Sequence, residues 1–310
     1  MRTHSILCLF LFIIGLTSCE KTIPAEGFID VKGGKVWYKI YGAEKKKTPV
    51  LLLHGGPGSP SDYLRPLQEL ASERPVIFYD QLGCGRSDLP SDTSLWKLDR
   101  FVNELSTIRV ELGLDSIHLF SHSAGTMLAA EYLDSKPKGI KSIIFAGPIF
   151  NSQKHLESVN QLKLELPAPI RDTLLLHEKI GTIYSPAYQD SYWEFVKLHW
   201  CRTFPFPEDI QKSMNYPTSG VFKTMWGDYE FYCPGNLKDF DREYILTDIN
   251  VPTLFTCGQF DLTTPESTAR YAKQVKGAEF VIFKDIAHMT INEDPENYVK
   301  VIREFLNKNE

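Results

Sequence analysis

The sequence predicts an α/β protein in which helices cover both faces of a mostly parallel β-sheet. Short, solidly apolar runs such as Val50–Leu53 and Val76–Tyr79 are typical of strands that are buried on both faces. Helix-like stretches alternate with these runs in the first half of the chain and again near its end, as in parallel sheets. The alternation breaks at Gly147-Pro148 and resumes after residue 240, so we expect one domain with a large insertion.

Length and charge limit the class of protein further. The chain has 310 residues, of which 43% are hydrophobic, and this is enough for one large core with a sizeable insertion. The formal net charge is only −5 and no long basic run is present, so we expect no nucleic-acid partner. The sequence does not determine the oligomeric state.

Residues 1–18 predict an export signal of the lipoprotein type. Arg2 supplies a positive charge, and the apolar stretch Ile6–Leu16 has the length of a signal-peptide core but is short for a membrane span. The segment Leu16-Thr17-Ser18-Cys19 resembles the lipobox of bacterial lipoproteins. We therefore expect Cys19 to be acylated, residues 19–27 to form a tether, and the exported protein to be anchored to the cell envelope membrane. An ordinary secretory signal is the alternative.

Four cysteines lie beyond the predicted leader and lipid site. Cys257 ends an apolar run and is expected to be a small buried hydrophobic residue. Cys201 and Cys233 lie in the same region of an exported chain, where a disulfide between them is one option.

The core is expected in residues 28–148 and 241–310, and a helical cap in residues 149–240. The core begins with a hairpin that turns at Gly33-Gly34. The inserted region is rich in aromatic residues and prolines and has helix-like patterning. The predicted strands are 28–31, 35–40, 50–53, 76–79, 116–120, 140–146, 252–257 and 279–283. The predicted core helices are 62–73, 98–112, 126–133, 265–275 and 295–306.

One strand-to-helix junction has the pattern of a nucleophile elbow. Ser123 stands between the predicted strand ending at Phe120 and the helix that starts near Thr126. Its neighbours two residues away are Ser121 and Gly125, both small enough for the sharp turn that such a serine requires. A serine-rich turn without catalytic function is the alternative, so the remaining catalytic groups decide.

Two further residues supply the base and the carboxylate that a serine nucleophile needs. Asp261 follows the strand ending at Cys257, and His288 follows the strand ending at Phe283. Serine, aspartate and histidine in this order, each after a strand, are the catalytic triad order of α/β-hydrolases. The sequence therefore predicts Ser123, Asp261 and His288 as the catalytic residues of a serine hydrolase, with no metal or organic cofactor.

The oxyanion of such a reaction needs preorganised N–H donors. His54-Gly55-Gly56-Pro57-Gly58 follows a buried strand and exposes backbone N–H groups without bulky side chains. We assign one donor to Gly56 and the other to Ala124, the residue after the nucleophile.

Together these motifs resemble the prolyl aminopeptidase (proline iminopeptidase) family of α/β-hydrolases, including the tricorn-interacting aminopeptidases. The matching segments are 54–58, 80–87, 258–265 and 288–296, and a cap segment, Met225–Phe231, that ends in Glu-Phe as in the family. The resemblance implies release of an N-terminal residue, often proline, from a small peptide. It also implies that acidic side chains bind the substrate's free α-amine, and Glu230 lies at one such position.

The sequence departs from the family at several positions around the predicted pocket. Leu262 occupies the position of a common glutamate after the catalytic aspartate, so one anionic contact is expected to be lost. Asn292 replaces a common tryptophan, Ala124 a large aromatic residue, and Thr126 the second glycine of the elbow.

Two other functions remain open at this stage. An esterase, amidase or lactonase on the same scaffold is favoured by Leu262, because a neutral acyl group needs no amine anchor. A binding or sensor protein that hardly turns over is disfavoured by the intact triad. Dehalogenase and epoxide hydrolase chemistry is disfavoured because it uses a carboxylate where this chain has Ser123.

Overall fold

The structure is a computed structural model that describes residues 23–310. The predicted signal peptide and the predicted lipidation site at Cys19 lie outside the described residues. Across the part of the chain that is described, no helix is both long enough and apolar enough to cross a membrane.

An eight-stranded sheet forms the centre of the molecule, in the order β1-β2-β4-β3-β5-β6-β7-β8. The first hairpin pairs antiparallel and joins β4 antiparallel, whereas all pairs from β4 to β8 are parallel. The strands are β1 (Glu26–Val31), β2 (Gly34–Tyr41), β3 (Val50–Leu53), β4 (Val76–Tyr79), β5 (Ile117–His122), β6 (Ile140–Ala146), β7 (Thr253–Gly258) and β8 (Glu279–Phe283). The predicted mostly parallel sheet is confirmed.

Helices cover both faces of this sheet, as predicted. The side chains of β3 point alternately to the two faces and are apolar on both. Leu51 and Leu53 join one apolar cluster, and Val50 and Leu52 join another on the opposite face. The helices are α1 (Leu98–Glu111), α2 (Ala124–Asp134), α3 (Ser152–Leu164), α4 (Ala168–Ile180), α5 (Pro186–His199), α6 (Glu208–Met214), α7 (Val221–Met225), α8 (Pro265–Ala272), α9 (Thr290–Glu293) and α10 (Pro295–Lys308). Helices α1, α2 and α8 contribute to the first cluster, and α10 to the second.

The helix predicted over residues 62–73 is a 3₁₀ helix, Ser61–Ser72. Pro66 lies inside it and has no N–H to donate to an α-helical hydrogen bond. Its side chains Tyr63, Leu64 and Leu67 are buried against the sheet, so this segment places Tyr63 beneath the catalytic region. Two shorter 3₁₀ turns span Thr93–Leu95 and Glu243–Asp248.

Helices α3 to α7 lie between β6 and β7 and form the inserted region. Asn151 begins α3 by accepting a hydrogen bond from Lys154 N–H at 2.9 Å, and Ser185 begins α5 in the same way. A separate apolar cluster that includes Phe195 and Phe231 joins α3, α4 and α5 to Leu262, on the loop after β7. The cap is thus packed directly on the loop that carries the predicted catalytic residue Asp261.

All four cysteines between residues 23 and 310 are buried free thiols. The suggested disulfide between Cys201 and Cys233 is therefore wrong. Cys201 packs in the apolar cluster with the 61–72 segment, whereas Cys233 packs in the cluster on the other face of the sheet. Cys257 is fully buried in β7, as expected for a small hydrophobic residue.

Candidate active site

Ser123 lies at the sharp turn between β5 and α2. Its backbone has φ 54° and ψ −128°, a left-handed conformation that is uncommon for a residue with a side chain. The N–H of Ser123 donates to the Ala146 carbonyl at 2.9 Å, which fixes the turn to the end of β6. Ser123 directly precedes α2, so its side chain sits at the positive end of that helix.

Small neighbours are necessary because this turn packs tightly against β3. A Cβ atom on Gly125 would lie 2.5 Å from the Leu53 carbonyl oxygen, and one on Gly55 would lie 2.9 Å from Ser123 Cβ. Ser121 is fully buried, and its hydroxyl donates to the Ile144 carbonyl at 2.9 Å. A serine at this position therefore fits the turn because its hydroxyl has a partner on the next strand.

His288 and Asp261 form a buried hydrogen-bonded pair at the ends of two adjacent strands. His288 Nδ1 lies 2.7 Å from Asp261 Oδ1, and both side chains are almost completely buried. Within residues 23–310 there is no hydrogen bond between Ser123 and the His288 ring, although both residues line one cavity. Such contacts commonly tighten only when substrate binds.

Thr263 holds the carboxylate of Asp261 in place. Its N–H and hydroxyl both donate to Asp261 Oδ1, at 2.8 and 2.9 Å, and the Gly258 N–H donates to Oδ2 at 3.3 Å. Thr263 is not among the residues predicted from the sequence. An aspartate followed two residues later by threonine does often form such a local turn, so the signal was present in the sequence.

The two charges of the pair stabilise one another. Burial alone would lower the pKa of His288, but the Asp261 carboxylate outweighs this, and the pKa is raised above its ordinary value. Burial alone would raise the pKa of Asp261, but His288 and the Thr263 donors hold it below its ordinary value. Asp261 is therefore the ionised partner that favours a protonated His288 during a reaction.

The two predicted oxyanion donors lie on the loop after β3 and at the start of α2. Gly56 and Ser123 line the same cavity, as does Ala124. The N–H of Gly55 donates to the Tyr63 hydroxyl at 2.7 Å, so it is not available to a substrate. Gly56 N–H has no backbone acceptor in the described part of the chain, and Ala124 is the first residue of α2, where a helix leaves its N–H free.

A cavity of about 300 Å³ joins these groups beneath the cap. Ser123 and His288 lie in its wall together with Glu230 and Leu262. Most of the remaining wall is aromatic or sulfur-containing, from Tyr63, Met127, Tyr192, Trp193, Phe195, Trp200, Met214, Tyr216, Phe222, Trp226 and Met289. The site can therefore enclose a small, largely apolar group next to the serine.

Glu230 is a half-buried acidic side chain in this largely apolar wall. Its carboxylate makes no hydrogen bond or ion pair with any residue between 23 and 310, and burial raises its pKa to about 7. The neighbouring His288 acts in the opposite sense and lowers the pKa of Glu230. Leu262, where the family commonly has glutamate, is buried in the apolar cluster of the cap.

Tyr63 and His122 also belong to the site but were not found from the sequence. Tyr63 lies on the 3₁₀ segment, far from Ser123 in the chain, and His122 immediately precedes Ser123. Their hydrogen bond, at 3.0 Å, spans 59 positions of sequence. The only sequence signal was a polar histidine at the end of a buried strand.

Comparisons with known proteins agree with this geometry. Residues 48–295 match the family profile of the alpha/beta hydrolase fold. The chain is 44% identical to a proline iminopeptidase from Heyndrickxia coagulans, an alignment that covers 91% of this chain and 98% of the relative. It is 33% identical to a proline iminopeptidase from Saccharolobus solfataricus, covering 91% of this chain and 92% of the relative.

Solved structures give the same result. The crystal structure of a proline iminopeptidase from Mycobacterium smegmatis matches with a TM-score of 0.86 at 30% identity and covers 92% of this chain and 98% of its own. An esterase from Exiguobacterium antarcticum is 18% identical with a TM-score of 0.65, which shows a shared fold alone. The chain therefore belongs to the proline iminopeptidase family of α/β hydrolases.

Proposed function

We propose that the protein is a serine aminopeptidase that releases an N-terminal residue, proline in particular, from small peptides through an acyl-enzyme. The observation that carries this proposal is the unpaired carboxylate of Glu230 in the cavity that also contains Ser123 and His288. A half-buried carboxylate without a partner in a largely apolar cavity is costly, so it points to a substrate group of opposite charge. A free α-ammonium is that group at the N-terminus of a peptide.

In the first half of the reaction, His288 removes the proton of Ser123, whose oxygen attacks the carbonyl carbon of the N-terminal residue. The N–H groups of Gly56 and Ala124 stabilise the oxyanion that forms, and the dipole of α2 adds to them. Asp261 keeps the His288 ring in the correct tautomer and balances its positive charge. The protonated His288 then gives its proton to the leaving amine of the shortened peptide.

In the second half, water replaces the leaving amine. His288 removes a proton from this water, which attacks the acyl-enzyme ester, and the released N-terminal amino acid leaves Ser123 free. Each step uses side chains and backbone groups of the described site, and the two halves are related by the same proton transfers in reverse.

Substrate selection follows from the walls of the cavity. Glu230 binds the α-ammonium, while aromatic side chains such as Tyr192 and Trp226 enclose an apolar residue such as proline. With Leu262 in place of a second carboxylate, a single carboxylate holds the amine. We therefore expect weaker dependence on the free amine than a site with two carboxylates would have.

Leu262 also keeps a second function open, namely an esterase, amidase or lactonase that uses the same triad. A neutral acyl group would gain apolar contacts with Leu262 and would not need Glu230. Two curated relatives, at 44% and 35% identity, and a solved structure at 30% identity are proline iminopeptidases by name, so this function is the less supported of the two.

We further propose that the enzyme is an exported lipoprotein anchored to the cell envelope membrane through acylated Cys19. Support comes from the sequence, where the positive Arg2, the apolar Ile6–Leu16 and the lipobox-like residues 16–19 occur in the required order. Strand β1 begins at Glu26, seven residues after Cys19, so the tether is short. The substrate would then be a peptide outside the cytoplasm.

A substrate panel tests the catalytic proposal. Arylamides of proline and of several other unblocked amino acids are compared with the N-acetylated compounds and with simple acyl esters. We expect the unblocked prolyl arylamide to have the highest kcat/KM among the amides. A panel in which only esters are hydrolysed would replace the aminopeptidase assignment with the esterase one.

A further inference from the structure

Tyr63 connects several parts of the active site from below. Its hydroxyl accepts the Gly55 N–H at 2.7 Å and lies 3.0 Å from His122 Nδ1. His122 Nε2 in turn lies 3.1 Å from the main-chain oxygen of His288. All of these groups are buried, so the chain of hydrogen bonds is shielded from solvent.

The acceptors determine where the protons are. The His288 carbonyl oxygen can only accept, so His122 Nε2 carries a proton and donates it. Burial lowers the pKa of His122 to about 3, so the ring is neutral and its Nδ1 is an acceptor. Tyr63 therefore donates its hydroxyl proton to His122 and accepts the proton of Gly55 N–H. One consistent direction runs from Gly55 through Tyr63 and His122 to His288.

Each end of this series of hydrogen bonds lies next to a group that acts on the substrate. Gly55 precedes Gly56, the proposed oxyanion donor, and the Tyr63 hydroxyl determines which way the Gly55 peptide points. At the other end, His122 holds the main chain of His288, and the two rings pack with centroids 4.7 Å apart. His122 also immediately precedes Ser123, so the series of hydrogen bonds includes a direct neighbour of the nucleophile.

Tyr63 is itself held on both sides of its backbone. Its N–H donates to the Ser213 hydroxyl of α6 at 2.9 Å, and its carbonyl accepts from Asn292 Nδ2 at 2.9 Å. A residue held this firmly can transmit position, because neither its backbone nor its hydroxyl is free to adjust.

We propose that Tyr63 and His122 are positioning residues that act as one hydrogen-bonded relay. The relay fixes the position of the Gly55-Gly56 loop, which carries a proposed oxyanion donor, relative to the base His288. Tyr63 and His122 line part of the cavity, but their polar atoms bond to Gly55, to each other and to the main chain of His288, and not to the reacting atoms. The relay rests on the proposed serine-hydrolase function, although not on the identity of the substrate. Its loss should therefore slow the reaction at Ser123 and leave the apolar cavity able to bind its ligands.

The test measures how fast a fluorophosphonate labels Ser123, since that reaction needs the base and the oxyanion donors but no particular substrate. Tyr63→Phe removes the hydroxyl and should slow labelling about tenfold to hundredfold, as expected for a misplaced catalytic group. Tyr79→Phe is the matched control, because Tyr79 is also fully buried and its hydroxyl has no partner within the described residues. Labelling of Tyr79→Phe should match wild type.

Variants of His122 test the same relay independently of how well Tyr63→Phe folds. His122→Gln retains one acceptor and one donor and should retain most of the labelling rate, whereas His122→Phe should be slowed as much as Tyr63→Phe. The Tyr63→Phe/His122→Phe double variant should be no slower than either single variant, because members of one unit are not additive.

For the peptide reaction, the expected loss is in kcat with KM nearly unchanged. Wild-type labelling rates in Tyr63→Phe and His122→Phe, or a loss confined to KM, would overturn the relay while leaving the serine-hydrolase function intact. Equal loss in His122→Gln and His122→Phe would also overturn it. A wild-type protein that the probe does not label at all would overturn the proposed function, and the relay with it.

Discussion

The carboxylate of Glu293 accepts a hydrogen bond from the main-chain N–H of Ala287, with an N···O distance of 3.0 Å. Ala287 is the residue before His288. The second oxygen of Glu293 accepts from the N–H groups of Arg202 and Thr203, at 2.7 and 3.2 Å, on the segment that follows α5 in the cap. One side chain therefore joins the loop that carries His288 to the cap.

Replacing this carboxylate should loosen both attachments. In Glu293→Gln the single amide oxygen can satisfy only one of the two sides, and the amide nitrogen faces an N–H donor on the other. We expect a loss of about 1–3 kcal/mol in the free energy of unfolding, together with a lower kcat. Glu304→Gln is the control, because Glu304 is an exposed residue of α10 with no hydrogen bond or ion pair in the described chain. Denaturant unfolding of both variants checks this, and equal stability would contradict it.

Glu230→Gln should lower activity only toward substrates with a free amine. The variant preserves the shape of the side chain but cannot carry the negative charge that pairs with the α-ammonium. A charge-assisted hydrogen bond contributes about 1.5–3 kcal/mol, so kcat/KM for aminoacyl arylamides should fall roughly tenfold to hundredfold. N-acetylated arylamides and simple esters should change little.

Leu262→Glu is the converse of this variant. It returns a second carboxylate to the cavity and should shift the ratio of arylamide to ester hydrolysis toward free-amine substrates. Leu262→Met, which preserves the apolar contacts, should leave that ratio unchanged. An unchanged ratio in both Glu230→Gln and Leu262→Glu would show that neither position contacts the amine.

The carboxylate of Glu230 predicts a distinctive pH dependence of substrate preference. Burial raises the pKa of Glu230 to about 7, so its negative charge is lost as the pH falls through that value. The kcat/KM ratio of free-amine to ester substrates should therefore decrease as the pH is lowered through about 7. It should decrease again above about 8, where the substrate amine loses its proton. His288 must be neutral to act as base for both kinds of substrate, so its titration cancels in the ratio.

Glu230→Gln provides the control for this profile. In that variant the low-pH decrease of the ratio should disappear, because no group that pairs with the amine titrates there. A decrease that persists in Glu230→Gln would assign the titration to another group.

Cys19→Ser should produce an active enzyme without lipid. The predicted anchor precedes β1 and lies outside the hydrolase fold, so kcat/KM of the variant should equal that of wild type. Intact mass spectrometry of the wild-type protein from a membrane fraction should show acyl chains on Cys19, which the variant lacks. A wild-type protein without acyl chains would contradict the lipoprotein assignment.

Local sequence patterns were sufficient to predict most of the fold, and they also place the proposed catalytic groups at one edge of the sheet. The strands around Ser123, Asp261 and His288 are short apolar runs, and each of these residues follows its strand at a characteristic position. Because parallel strands end at one edge of the sheet, the order of these motifs predicts that their side chains lie near one another. The fold class follows from the same alternation.

The supporting contacts could not be predicted, because they join distant parts of the chain. Tyr63 and His122 are 59 positions apart, and His122 and His288 are 166 apart, so only the folded structure brings them together. Neither local propensity nor spacing indicates which buried tyrosine faces which histidine. The free thiols of Cys201 and Cys233 are a similar case, since their places in two different apolar clusters are a property of packing and not of spacing.

The central claim is that Ser123 releases proline from the N-terminus of a peptide, and one measurement tests it most directly. The release of proline from a prolyl peptide is measured for wild type and for Ser123→Ala, with folding of the variant checked by thermal unfolding. The account predicts steady release by wild type, and a rate lower by several orders of magnitude in a variant that folds normally. Near-normal release by a well-folded Ser123→Ala protein, or no release by wild type, would contradict it.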